Sequence, residues 1–147
     1  MSGPRRFFTS PLTIRVFQVA IGILMAWAGL AKIGNLHGFA EQLHNFRMMP
    51  VPIENLIAMS LPWIELVAAL ALIFGVRARA GAILSALLLT AFTAAVFVAM
   101  ARGLDIECGC FGTADGSRVG LRKMAENLGM LILAFIAMQT PFNRPQA

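Results

Sequence analysis

Tyrosine is missing altogether, and charged residues make up only 13% of the 147 positions. A soluble particle of this size needs more polar surface than that to cover itself, so a free-standing aqueous domain is excluded. Histidine and cysteine are scarce, two of each, and a four-ligand zinc site would have to draw on all of them. With seven acidic residues in the whole chain, no ring of carboxylates is evident. The apolar runs are also too few for the usual repeat architecture of a transporter, so a channel or transporter is disfavoured. What the chain has in excess is apolar side chains, at 59% against the roughly 45–50% of soluble domains. The formal charge is +5, but Arg and Lys border the apolar runs rather than forming one patch. That is the signature of membrane topology and not of nucleic-acid binding.

The expected fold is all-α, an integral membrane four-helix bundle formed by one domain over residues 1–147. Arg5-Arg6-Phe7-Phe8 superficially resembles a twin-arginine signal, and Ala26-Trp27-Ala28 has the form of a cleavage site. The apolar run to Ile33 is nevertheless longer than a signal core and close to a spanning length, so a first span is predicted over about 13–34. Lys32, near its far end, can snorkel to the interface. Between 35 and 52 the chain is polar, with Phe39, Leu43 and Phe46 spaced for a short surface helix. A second span is predicted over about 53–75. It holds Pro62 and, three residues on, Glu65, a carboxylate costing on the order of 2.5–3.5 kcal/mol near mid-membrane. Glu65 must therefore face the bundle, protonated or paired with a cation such as Lys32. It is a proton-relay or quinone-facing acid, or an interhelical lock.

A charge-free third span is predicted over about 80–101. Its small-residue rows, Gly81/Ser85 and Ala78/Ala82/Ala86, allow close helix approach. A loop over 102–118 leads to a fourth span over about 119–139, ending before Pro141. Arg122 and Glu126 are four apart on its opening turns and can pair. Lys and Arg counts alone do not orient the spans. The dense, acid-free pairs Arg5/Arg6 and Arg77/Arg79, with Arg144 at the same end, place the termini in the cytoplasm. The opposite side carries Arg47, Arg102 and Arg118 diluted by Glu41, Asp105, Glu107 and Asp115, and this puts the 102–118 loop outside.

Both cysteines lie in that loop, in Glu107-Cys108-Gly109-Cys110-Phe111-Gly112. On the non-cytoplasmic side disulfides persist. A bridge across one residue closes a small ring, which is expected to be strained, accessible and readily reduced. Arg102 and Arg118 would favour a thiolate there and Glu107 would oppose it. Three readings stay open for Cys108 and Cys110: a redox pair, a soft-metal site completed by His37 and His44, and a structural bond. Lys32, Glu65 and Glu126 are the candidates for proton or charge management beside the pair. The sequence identifies no cofactor; a quinone between the helices is a candidate acceptor, although nothing marks its pocket.

Three motifs carry a resemblance: Ala28-Gly29-Leu30-Ala31-Lys32-Ile33, Leu61-Pro62-Trp63-Ile64-Glu65-Leu66, and the cysteine stretch, the most specific of them. Together, and over nearly the whole length from about 13 to 138, the chain resembles the MauE family of methylamine utilisation membrane proteins, within the wider DoxX-like group. The resemblance implies a redox-associated, multi-pass protein of the inner membrane. It also implies a role in processing, export or maturation of periplasmic methylamine dehydrogenase, whose beta subunit carries many disulfides and a tryptophan-derived quinone. Two classes of function follow. One is thiol-disulfide exchange or electron relay with a periplasmic thiol protein or dehydrogenase subunit. The other is a non-enzymatic membrane assembly factor, or a subunit of a larger oxidoreductase, in which the pair is structural or binds metal.

Overall fold

A computed structural model describes residues 10–111 and 116–139. Arg5, Arg6, Gly112, Asp115, Pro141 and Arg144, which entered the sequence reading, lie outside the described residues. The described chain is all-α, with five helices: α1 (Pro11–Gly34), α2 (Leu36–Asn45), α3 (Val51–Phe74), α4 (Ala78–Ala101) and α5 (Leu121–Ala137). Three of them, α1, α3 and α4, are long and apolar enough to cross a membrane. Each has 24 residues, about 36 Å of helix against a hydrocarbon core of about 30 Å. Helix α5 has 17 residues. It begins two residues later than the predicted fourth span, after Gly120, whose backbone is fully extended.

The boundaries follow local chemistry. Ser10 caps α1 by accepting from the Thr13 amide at 3.2 Å, with Pro11 in the first turn, where a missing N–H costs nothing. Asn35 ends α1 and caps α2, its Oδ1 accepting from the Gly38 amide at 3.0 Å. Gly75 closes α3 in the left-handed region.

Helix α1 packs against α3 and α5, α3 against α4, and α4 against α5, while α2 lies across α3 and α1. The main apolar core draws Ile21 and Met25 from α1, Ala69 and Leu72 from α3, Ala82, Ala86 and Leu89 from α4, and Ala134 and Ala137 from α5. The small residues Ala78, Gly81, Ala82, Ser85 and Ala86 are all buried, as their spacing predicts. Helix α1 approaches α3 closely at Gly29, where a Cβ would stand 2.9 Å from the Pro62 carbonyl oxygen. Large apolar side chains face outward instead, among them Trp27 (63% exposed), Trp63 (56%), Leu56, Val67, Phe74 and Phe97. An apolar exterior of this extent suits lipid and not water.

Candidate functional site

Beyond α4 the chain turns at Gly103, whose φ is +68°. Arg102 stays behind to donate to the carbonyls of Phe46 and Arg47, at 2.9 and 3.2 Å. The chain then pairs with itself: the Cys108 amide donates to Ser117 at 2.9 Å and the Val119 amide to Ile106 at 2.8 Å, around an antiparallel bridge between Glu107 and Arg118. This short clamp presents the Cys108–Cys110 disulfide, with Cα atoms 5.5 Å apart. Gly109 between them has φ +68°, and a Cβ there would meet Gln42 Oε1 at 2.9 Å. Backbone conformation and crowding both select glycine.

The expected accessibility of the pair is corrected by the structure. Cys108 is 2% and Cys110 8% exposed, seated against Val96, Phe92, Met100, Phe111, Val119 and Met124. Helix α2 supplies the lid. Gln42 is buried, lies on Gly109, and donates through Nε2 to Glu107 Oε2 at 2.7 Å. The two arginines expected to bias the thiols are engaged elsewhere: Arg102 holds the backbone of 46 and 47, and Arg118 pairs with Asp105. Beside the lid, a polar groove of about 550 Å³ runs between α2 and the loop, lined by Gly38, Glu41, Gln42, Asp105, Glu107 and Arg118 among others.

Lys32 does not snorkel outward. It is fully buried, its Nζ donating to Glu65 Oε1 at 2.6 Å while it sits 4.7 Å from the Phe92 ring centroid and 5.2 Å from that of Phe39. A carboxylate on one side and two aromatic faces on the other replace the water an ammonium would otherwise demand. Inward geometry wins because Gly29 and Pro62 bring α1 and α3 together just before both charged residues. Glu126 is not part of this group: it accepts from Arg122 Nε and Lys123 Nζ, both at 3.2 Å. Its side chain is 42% exposed.

The residue of α5 that does reach the pair is Asn127, buried, with Nδ2 3.7 Å from Cys110 Sγ. Its sequence signal is positional. Lys123, Asn127, Ala134 and Ala137 share the buried face of α5, so an amide four residues after a buried lysine marks a polar inner surface. A crevice of about 10 Å³ lies between these groups, lined by Met25, Glu65, Phe92, Cys110, Asn127 and Met130 among others. That is the scale of a single water and not of a quinone ring. Two of its lining residues, Glu65 and Asn127, each have a buried oxygen, Oε2 and Oδ1, without a hydrogen-bond partner among the described residues. The Cys2His2 set is not assembled: the cysteines are bonded to each other, His37 pairs with Glu41 at 3.3 Å and His44 with Glu54 at 2.9 Å. Among the described residues no group of three or more His, Cys, Asp or Glu is placed to hold a metal ion.

The family model described as methylamine utilisation protein MauE matches residues 10–139. The chain belongs to the MauE family. Its similarity to the methylamine utilization protein MauE of Paracoccus denitrificans is 29% identity over 129 residues, 87% of this chain and 69% of that one. The MauE of Methylorubrum extorquens is 32% identical over 123 residues, 83% of this chain and 64% of its own length. For the MauE of Paracoccus versutus the figures are 31% over 137 residues, 92% and 74%. The chain thus spans about two thirds to three quarters of the length of these relatives. No solved structure matches. The MauE match takes in all five helices, the Lys32–Glu65 pair and the cysteine loop.

Proposed function

We propose that this MauE-family chain is a redox protein of the inner membrane, acting in methylamine utilisation through thiol-disulfide exchange at Cys108–Cys110. The client in this reading is a periplasmic thiol protein, with the beta subunit of methylamine dehydrogenase as the family-implied case. Helix α5 serves as a fourth crossing beside α1, α3 and α4, the termini face the cytoplasm, and α2 and the cysteine loop share the periplasmic end. The observation that supports it best is the Cys108–Cys110 disulfide with Glu65 of the buried ion pair on the same crevice as Cys110, since a bond that only shapes a loop needs no ionisable group beside it.

In the exchange a client thiolate attacks one sulfur, a client–protein disulfide forms, the Cys108–Cys110 bond breaks, and its electron pair leaves on the other sulfur. A second client thiol then resolves the mixed disulfide, so that two electrons and two protons pass to the cysteines and the client is oxidised. Because both sulfurs are covered, the Gln42–Glu107 contact has to open for attack, and α2 is the movable part. Lys32 and Glu65 manage charge next to the pair, whereas Glu126 acts at a distance, by holding Lys123 over the Phe111 ring at 4.9 Å.

Burial of Cys108 favours a second reading, in which the bond only shapes the loop of an assembly factor. Cys108→Ser, Cys110→Ser and the double variant separate the two. Exchange predicts loss of methylamine-dependent growth at normal protein abundance in all three; full growth of the double variant removes it. Topology is tested in intact cells with a membrane-impermeant maleimide read by intact mass. Labelling only after mild reduction supports an external, reducible bridge, and labelling only after the membrane is opened contradicts it.

A further inference from the structure

The crevice beside Cys110 joins three facts that thiol exchange alone does not require. Asn127 offers an N–H to Cys110 Sγ at 3.7 Å. Glu65 Oε2 and Asn127 Oδ1, both fully buried, have no partner among the described residues. Both residues line a space of about 10 Å³, enough for roughly one water, and a buried water is retained where two or more polar groups hold it. Cys108 does not line this space. Its surroundings are apolar side chains and the backbone of the clamp.

Building on the exchange reading, we propose that this crevice is a one-water proton relay dedicated to Cys110, which makes Cys110 the leaving sulfur and Cys108 the sulfur attacked. The client thiolate bonds to Cys108 Sγ, and the electron pair of the broken bond goes to Cys110 Sγ. Asn127 Nδ2 donates to the thiolate as it forms, because a buried anion without a donor is costly. The pair's proton moves from Lys32 to Glu65, whose Oε2 then donates to the water. The water donates one O–H to Asn127 Oδ1 and passes the proton of its other O–H to Cys110 Sγ, taking the Glu65 proton in its place, and the Lys32–Glu65 pair ends one proton poorer. The reverse reaction returns that proton.

The titratable groups facing the crevice are Cys110 from the loop, Glu65 from α3 and, through Glu65, Lys32 from α1. Helix α4 contributes Leu88, Leu89 and Phe92, none of them titratable, and α5 contributes Asn127 and Met130. Lys123 lies a turn before Asn127 over the Phe111 ring, beside Glu126. Asn127 is thus a catalytic residue in touch with a reacting sulfur, and Glu65 a proton-handling one acting through water.

The test uses the full chain in lipid nanodiscs, with glutathione as the attacking thiol, rapid maleimide quenching and fragment-ion mass spectrometry to tell the two cysteines apart. Glutathione is expected on Cys108 and maleimide on Cys110 in the wild type. Asn127→Ala is expected to slow reduction about tenfold, the worth of one hydrogen bond to a charged group, and Lys32→Gln/Glu65→Gln to flatten the pH dependence of the rate. Glutathione on both sulfurs alike overturns the relay and leaves exchange standing, and it needs no variant to fold. So do wild-type rates and pH profiles in Asn127→Ala and in the double variant. A wild-type bond that no thiol reduces in the nanodisc overturns exchange itself, and the relay with it.

Discussion

The two ends of the helix array treat buried polar groups in opposite ways. At the end where α1 begins, Arg15 donates through Nη1 to Leu72 O at 2.7 Å and through Nη2 to Ile73 O, covering the last carbonyls of α3. Gln18 donates to the Ala137 carbonyl at 3.0 Å, closing α5 in the same manner. At the other end Glu65 Oε2, Asn127 Oδ1, Gln42 Oε1 and Glu54 Oε1 are buried acceptors without partners among the described residues. Among the described residues Ser85 Oγ in α4 is the exception away from that end. Buried acceptors without a protein donor cost stability unless a water supplies one, so one end is built to hold helices together and the other, the costly end, depends on a donor from outside the described residues.

The sharpest way to break this contrast is to leave a charge alone at the costly end. Glu65→Leu strands the Lys32 ammonium among apolar side chains, and removing one partner of a buried pair costs about 3–5 kcal/mol. Lys32→Met/Glu65→Leu leaves no stranded charge, and buried pairs exchanged for apolar residues of similar volume are often neutral or better. Equilibrium unfolding in mixed micelles should therefore rank the double variant above the single one, with growth on methylamine lost in both. Growth retained by the double variant would mean that the pair is an interhelical lock and nothing more.

Much of the array was legible in the sequence, for a physical reason: apolar runs of spanning length can do little else, and a carboxylate within one must find a cation. That reasoning reached Lys32 as the partner of Glu65 but missed the direction in which Lys32 points, because snorkelling and inward pairing are equally open to a lysine near a helix end until packing decides. The close approach at Gly29 and Pro62 together with the rings of Phe39 and Phe92 decides it here, and the two rings come from elements far apart in the chain. The same limit hid the lid. Gln42 and Glu107 are 65 positions apart, and no local pattern announces that a polar surface helix will cover the cysteine loop. Asn127 shares a helical face with Lys123 by spacing, but nothing in the sequence marks that face of α5 as the inner one.

At the satisfied end, Arg15→Ala is expected to cost about 1.5–3 kcal/mol, the range for hydrogen bonds made by charged groups, because it uncaps α3. If the two ends are functionally distinct, the loss appears in unfolding alone. The rate at which glutathione reduces Cys108–Cys110 in the folded chain should match the wild type within about twofold, since the sites are several helical turns apart and independent sites add. A variant at Arg15 that altered that rate as much as Asn127→Ala would show the ends to be coupled and the contrast to be false.

The smallest effect concerns the lid, where two causes for one glycine can be separated. Gly109→Ala incurs a left-handed backbone penalty of about 1–2 kcal/mol and also drives a methyl to 2.9 Å from Gln42 Oε1. Gln42→Ala removes the obstacle and the Glu107 contact together, so alone it should speed reduction of the disulfide by lifting the cover. In Gln42→Ala/Gly109→Ala the contact part of the penalty disappears while the backbone part stays, and the double variant should be more stable than the sum of the single losses predicts. Strict additivity would mean that Gln42 already yields to a Cβ at no cost. The lid would then be loose in the resting protein, and the sulfurs would be limited by their own chemistry and not by access.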